Sequence, residues 1–274
     1  MNGYQDLLDS KYEKLLKRLR TLGKTVLAYS GGVDSTFLLY ALKAAGVEFL
    51  VITAYSPSMP VEELNRAKEQ IAQLYIAHRI IQSTEFEDED YLANTIERCF
   101  YCKRKRWQML SAIAKNEGYA HIVDGTNESD KQDYRPGIKA NKIYNVISPL
   151  EELHINKDEI RLLSKLKGLS TWNRPSFSCL STRIPYGERI TVGDLKMIES
   201  AERLLRELGF NQLRVRKYAT TAKIEVELTE ISKVIEPNTR QRIVDGLKDV
   251  GFLYITLDIE GFQSGKLNRG LSVY

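Results

Sequence analysis

Apolar positions along the chain change their period as they run. Leu8, Tyr12, Leu15, Leu16 and Leu19 recur at helical spacing with Lys11, Lys14, Lys17 and Arg18 between them, which predicts an amphipathic helix packed on a sheet. Thr25 to Tyr29 is a short apolar run rich in strand formers, and Phe49 to Ala54 is a second, without alternation, as expected for parallel strands covered on both faces. Between them, Thr36 to Ala45 predicts a buried helix. Val61 to Tyr75 predicts the next helix, His78 to Gln82 a third strand, Arg104 to Asn116 a helix and His121 to Asp124 a fourth strand. Strands that alternate with helices predict an α/β fold with a doubly wound parallel sheet, whose ligands sit beyond the carboxyl ends of the strands.

From about Pro185 the rhythm is different. Asp194 to Leu208 reads as a helix, Gln212 to Tyr218 and Lys223 to Leu228 as alternating strands, Thr239 to Val250 as a helix and Leu253 to Asp258 as a last strand. This order predicts a smaller antiparallel α+β domain with helices on one face. The expected division is 1–185 for the first domain and 186–274 for the second, near Pro185-Tyr186-Gly187.

A chain of 274 residues, 43% hydrophobic and 28% charged, is ordinary for a soluble protein of one large or two modest domains. Its longest unbroken apolar run, Phe37 to Leu42, is far short of the roughly 20 residues that cross a bilayer. Asp6, Asp9 and Glu13 interrupt any signal-peptide order near the start, so a cytoplasmic enzyme is expected and no membrane partner. The formal net charge of +4 suits anionic ligands such as nucleotides, but it is too diffuse to argue for nucleic acid. Three cysteines are an odd number, which argues against a disulfide framework.

The chemistry concentrates in Ser30-Gly31-Gly32-Val33-Asp34-Ser35, between the first strand and its helix. A sharp strand-to-helix turn aims backbone N–H groups and the positive end of the helix dipole at one point, which attracts phosphate. Gly31 and Gly32 let the backbone approach an anion, and Ser30 and Ser35 add hydroxyl donors. The loop lacks the lysine of G-x-x-x-x-G-K-[ST]. It resembles instead the PP-loop of the ATP pyrophosphatases, which cleave ATP between the α and β phosphates. Asp124-Gly125-Thr126-Asn127-Glu128-Ser129-Asp130 follows a strand and is either a contact for adenylate or Mg²⁺ or a polar turn. Arg135, in Tyr134-Arg135-Pro136-Gly137, could clamp a phosphate or bridge surface carboxylates.

Cys99-Phe100-Tyr101-Cys102 is a C-x-x-C pair crowded by Arg98, Lys103, Arg104, Lys105 and Arg106, and Cys179 stands alone further on. Cations beside thiols favour the thiolate needed for metal ligation or sulfur chemistry. Three thiolates are one short of a closed zinc site and could hold an iron–sulfur cluster with one open iron; the other readings are a C-x-x-C on a helix turn with an unrelated core cysteine, or a redox pair.

Taken together, the S-G-G-V-D-S loop, Asp124 to Asn127, Asp133 to Gly137, Trp172-Asn173-Arg174-Pro175, Cys179 to Gly187, and Gly209-Phe210 through Arg214-Val215-Arg216 resemble the LarE family, in that order and over about 24–268. The resemblance implies an ATP-dependent sulfur transferase. Such an enzyme adenylates the carboxylates of pyridinium-3,5-biscarboxylic acid mononucleotide and converts them to thiocarboxylates for the nickel-pincer nucleotide cofactor of lactate racemase. One form of the family sacrifices the sulfur of a single cysteine. This sequence is similar to the other, in which three cysteines hold a [4Fe-4S] cluster, here Cys99, Cys102 and Cys179.

The resemblance further implies ATP and Mg²⁺ at Ser30, Gly31, Gly32, Asp34, Ser35, Gly125, Thr126, Asn127 and Arg135, with Lys103 as a mobile cation for the adenylate. Cys179, Asp34 and Lys103 are then the catalytic residues. The substrate's own phosphate needs a cationic seat, for which Arg183, Arg214 and Arg216 are expected, with Glu202 nearby. Arg214 and Arg216 alternate on a predicted strand and share a face. Sulfide or another sulfur donor is implied, and a homo-oligomer is expected from the family. Two other readings compete: a PP-loop tRNA thiolase with a similar cluster, which predicts an extended basic surface, and a redox sensor on a nucleotide-binding scaffold. No second C-x-x-C supplies the zinc ribbon often appended to the former.

Overall fold

The computed structural model describes residues 2–132, 136–175 and 177–270. By contacts the chain forms two units: Met1–Tyr91 with Ile96–Phe177, and Leu92–Thr95 with Ser178–Tyr274.

The first unit contains α1 (Asn2–Leu22), β1 (Thr25–Ala28), α2 (Val33–Ala45), β2 (Phe49–Tyr55), α3 (Val61–Ala72), β3 (His78–Gln82), α4 (Glu89–Leu92), α5 (Arg98–Asn116), β4 (His121–Val123), α6 (Gly137–Ile143), α7 (Pro149–Glu152) and α8 (Lys157–Leu166). Its sheet has the order β3-β2-β1-β4, and every pairing is parallel. The strands divide their side chains between two cores by simple alternation. Val26, Leu50, Ile52 and Ile122 face Trp107, Leu110 and Ala140 of α5 and α6. Leu27, Val51 and Val123 face Leu8, Leu15, Phe37 and Leu163 of α1, α2 and α8. Helices therefore cover both sheet faces, and the continuous apolar strands are accounted for.

Helix α5 begins at Arg98, six residues before the expected start at Arg104. Its buried stripe is Arg98, Trp107, Leu110 and Ala114, so a buried arginine stands where an apolar residue would have signalled the first turn. Cys99, Cys102 and Lys103 consequently sit on a helix.

The second unit contains α9 (Val192–Glu207), β5 (Leu213–Tyr218), β6 (Thr221–Val226), α10 (Ile231–Ile235), α11 (Pro237–Val250) and β7 (Tyr254–Leu257). Ala201, Leu205, Phe210, Val215, Ile224 and Leu247 centre its core. The sheet order is β5-β6-β7, with β5 antiparallel to β6 but β7 parallel to it. The antiparallel expectation fails at β7 because α10 and α11 return the chain to the starting end of β6, which is how parallel neighbours must be joined. The unit starts at Ser178, ahead of the change in rhythm at Pro185, because Arg183 is buried against Glu202 of α9. Asn94 ties Leu92–Thr95 to it by donating to the carbonyls of Ile184, Pro185 and Glu188.

Candidate functional site

In the first unit, β1 hands the chain to α2 through Ser30, Gly31 and Gly32. Gly31 has φ +74°, a left-handed conformation that glycine adopts without strain. The loop is closed on itself: Ser30 N–H donates to Ser35 Oγ at 3.3 Å, the two serine hydroxyls lie 3.2 Å apart, and Ser35 Oγ donates to the Gly32 carbonyl at 3.2 Å. The first-turn N–H groups of α2 face out of its amino end, where they favour an anion.

The segment after β4 packs directly on this turn. A Cβ added to Gly125 would meet Ser35 N at 2.9 Å and the Asp34 carbonyl carbon at 3.1 Å, so only glycine fits. Asp124, buried, accepts from Thr126 Oγ1 at 2.7 Å, Ser148 Oγ at 2.7 Å and Asn141 Nδ2 at 3.0 Å. Burial pushes its carboxyl up, but the Lys103 ammonium and the Ser148 and Thr126 hydrogen bonds outweigh this and hold it below the usual range. Asn127 accepts from Ser129 N–H at 3.0 Å, completing the turn. Thr126 and Asn127 thus spend hydrogen bonds on shaping the segment that places Gly125.

Lys103 is held from several sides. Its Nζ is 3.5 Å from Asp124 Oδ2 and 3.3 Å from Asn141 Oδ1, and it lies over the Trp107 ring, 5.6 Å from the centroid. Asp34 is paired with Lys157, whose Nζ lies 2.6 Å from Oδ2. Arg174 braces the loop from outside by donating to the Gly31 carbonyl at 2.8 Å and pairing with Glu63 of α3. Arg161 in turn donates to the carbonyls of Trp172 and Arg174, each at 2.7 Å. Arg135 lies outside the described residues.

Cys99 and Cys102, one turn apart on α5, are half-buried. Arg106 Nη2 is 3.9 Å from Cys102 Sγ, and the buried Glu85 carboxylate is 4.0 Å from it. Cys179 belongs to the second unit, where its carbonyl accepts from Thr182 N–H at 3.0 Å, Thr182 Oγ1 at 2.7 Å and Arg183 Nη1 at 3.0 Å. Among the described residues no group of three or more His, Cys, Asp or Glu side chains is arranged to hold a metal ion. Cys99 and Cys102 belong to the first unit and Cys179 to the second.

The expected phosphate seat on the second unit is a network of buried ion pairs. Arg183, 0% exposed, donates through Nε and Nη2 to Glu202 at 2.8 and 3.1 Å and through Nη1 to Ser178, Cys179 and Thr182. It therefore fastens the Cys179 turn. Arg216 donates bidentately to buried Glu225 at 2.6 and 3.0 Å. Arg214 donates to its own Leu213 carbonyl at 2.7 Å and stacks on Phe262, 4.9 Å from the ring centroid. Burial, then Arg183 and other nearby cations, lower the Arg214 pKa to about 10, with Glu202 acting in opposition.

Sequence reasoning missed Lys157, Asn141, Glu63 and the bracing role of Arg174. One signal was available: Asn156-x-x-Glu159 is a capping box that marks the start of α8, with Lys157 as its first residue.

The parallel sheet, the S-G-G-V-D-S turn and the glycine packed against it define a fold of the PP-loop class. No protein-family model matches the chain. It is 43% identical to an uncharacterized protein of Synechocystis over 97% of this chain and 100% of the other. It is 33% identical to the pyridinium-3,5-bisthiocarboxylic acid mononucleotide synthase of Lactiplantibacillus plantarum over 97% of this chain and 96% of that one. The chain belongs to the LarE family, that of the synthase. A shorter match, 28% identical over 54% of this chain and 50% of the relative, is to the tRNA(Ile)-lysidine synthase of Chlamydia abortus. Among the described residues no helix is long and apolar enough to cross a membrane.

Proposed function

We propose that the protein is an ATP-dependent sulfur transferase acting on pyridinium-3,5-biscarboxylic acid mononucleotide and making the thiocarboxylates of the nickel-pincer cofactor precursor. The reading is carried by the whole-length likeness to the synthase, 33% over 97% of the chain. The strand-to-helix loop built for phosphate supports it. A tRNA thiolase is not favoured, because the tRNA-modifying relative matches only half of the chain.

A carboxylate resists attack because it is negatively charged and oxide is a poor leaving group. In the proposed first step a substrate carboxylate oxygen attacks the α-phosphorus of ATP, pyrophosphate leaves and an acyl adenylate forms. In the second, sulfide or another sulfur donor attacks the acyl carbon and AMP leaves with the original oxygen. Ser30, Gly31, Gly32, Asp34, Ser35 and Gly125 form the nucleotide seat, shaped by Thr126 and Asn127. Asp34 and the serine hydroxyls offer the hard oxygen donors that suit Mg²⁺, which would neutralise charge on the departing pyrophosphate. Lys103, set by Asp124 and Asn141, is assigned to the adenylate. Arg214 is assigned to the substrate phosphate, with Arg216 beside it, while Arg183 and Glu202 position the turn of Cys179.

The [4Fe-4S] cluster on Cys99, Cys102 and Cys179 enters the proposal through the family resemblance alone, as do the homo-oligomer and the cytoplasmic location. The test is to supply ATP, Mg²⁺, sulfide and the pyridinium dicarboxylate mononucleotide to anaerobically prepared protein. Substrate-dependent pyrophosphate and a product with sulfur in place of oxygen are expected. Pyrophosphate release indifferent to the pyridinium compound would overturn the substrate assignment.

A further inference from the structure

Asp34, the acid of the phosphate loop, has a dedicated counter-charge. Lys157 Nζ reaches its Oδ2 at 2.6 Å, and both side chains keep about a quarter of their surface in solvent, 24% each. A pair that water still reaches on both sides adds only modestly to stability. Its surroundings are nevertheless well fixed. Lys157 opens α8, whose first turn is set by the reciprocal Asn156–Glu159 capping box. Its own N–H donates to Ser129 Oγ at 3.0 Å, in the segment that carries Gly125. The start of α8, the segment after β4 and the phosphate loop are thus joined through one residue.

A carboxylate at the mouth of a phosphate site repels a polyphosphate. A lysine within ion-pair distance cancels that repulsion, and its flexible four-carbon stem lets the ammonium pass to another nearby anion. We propose that Lys157 is a nucleotide-contacting residue that exchanges between Asp34 and the β- or γ-phosphate oxygens of ATP, and that it also binds the pyrophosphate formed. This rests on the nucleotide reading of the loop. It adds that the site distinguishes ATP and pyrophosphate from AMP by means of Lys157.

The test is calorimetric binding of ATP, inorganic pyrophosphate and AMP to the full chain and to Lys157→Met, Lys157→Gln and Lys157→Arg. Losing a charge-assisted contact should weaken ATP and pyrophosphate by about ten- to a hundredfold in the Met and Gln variants. AMP affinity should stay within about twofold, since it lacks the outer phosphates. Lys157→Arg should recover most of the preference for ATP. A structural role alone would weaken ATP and AMP in parallel or change neither, and either pattern overturns the inference. Should the unaltered protein bind no ATP, the nucleotide reading falls and takes this one with it. Unaltered binding with an unshifted ratio in the variants removes only the role given to Lys157.

Discussion

Replacing Glu202 with glutamine should unfold the second unit far more readily while sparing the first. Glu202 and Arg183 are both 0% exposed, and Arg206 and the Val215 N–H also donate to this carboxylate at 3.0 and 3.2 Å. Glutamine keeps the shape but leaves Arg183 as an uncompensated charge in the interior, which costs about 3–5 kcal/mol. For a unit of this size each ~1 kcal/mol lowers the midpoint by about 4–8 °C, so a fall of at least about 12 °C is expected. Both tryptophans, Trp107 and Trp172, lie in the first unit, so their fluorescence serves as the internal control. Hydrogen exchange of peptides from Leu213 to Val226 reports the second unit. Burial pushes the Glu202 carboxyl up, but Arg183 and the other arginines hold it below its ordinary value. Its contribution is therefore full above the unfolded pKa near 4.3 and lost as pH falls through the lower folded value, and the variant should lack that acid-dependent loss. Replacing both partners, Arg183→Met with Glu202→Leu, should restore much of the stability. A cost below about 1 kcal/mol for Glu202→Gln would refute the argument.

Gly125→Ala should abolish ATP-dependent pyrophosphate release and leave hydrogen exchange in the second unit unchanged, because the added Cβ would lie 2.9 Å from Ser35 N. Asp34→Ala should eliminate AMP formation while changing stability by no more than about 1 kcal/mol, as water reaches both sides of its pair with Lys157, 24% of each side chain being exposed. Cys179→Ala should retain substrate-dependent pyrophosphate release but yield no thiocarboxylate, read by mass spectrometry of the product. Anaerobic reconstitution with iron and sulfide should give about four irons per chain if all three cysteines ligate a cubane; uptake of zinc alone would remove the cluster from the proposal.

Much of the first unit was legible because burial on both faces leaves a strong mark. Strands such as Phe49 to Ala54 carry no polar alternation, and each parallel pairing follows from the helix between strands. The loop was legible for a different reason: glycines and serines set between a strand and a helix predict a tight turn, and Gly31 at φ +74° with Ser30 and Ser35 hydrogen-bonded across it forms one. Helix starts were harder. Arg98 is buried in the first turn of α5, where periodicity expects an apolar residue, and α8 announced itself through a cap rather than through its apolar stripe. The direction of β7 was hidden because alternation says which side a residue faces and nothing about strand sense.

The same limit explains the arginines. Alternation places Arg214 and Arg216 on one face, but the depth of that face and its acids come from other strands and helices. Glu225, the register partner of Arg214 on β6, turns its carboxylate to Arg216 instead, and Glu202 arrives from α9 to take Arg183. A guanidinium held bidentately by a buried carboxylate has little left to offer a ligand. Among the described residues no carboxylate is in ion-pair contact with Arg214, and burial first, then Arg183 and the other cations around it, lower its pKa to about 10 against the opposing pull of Glu202. At neutral pH it still carries its charge, so this corner of the second unit holds positive charge that its own acids do not balance. An incoming phosphate would relieve that imbalance at Arg214. At Arg183 or Arg216 it would first have to displace a carboxylate, which is why the three arginines, equivalent in the sequence, are given different work.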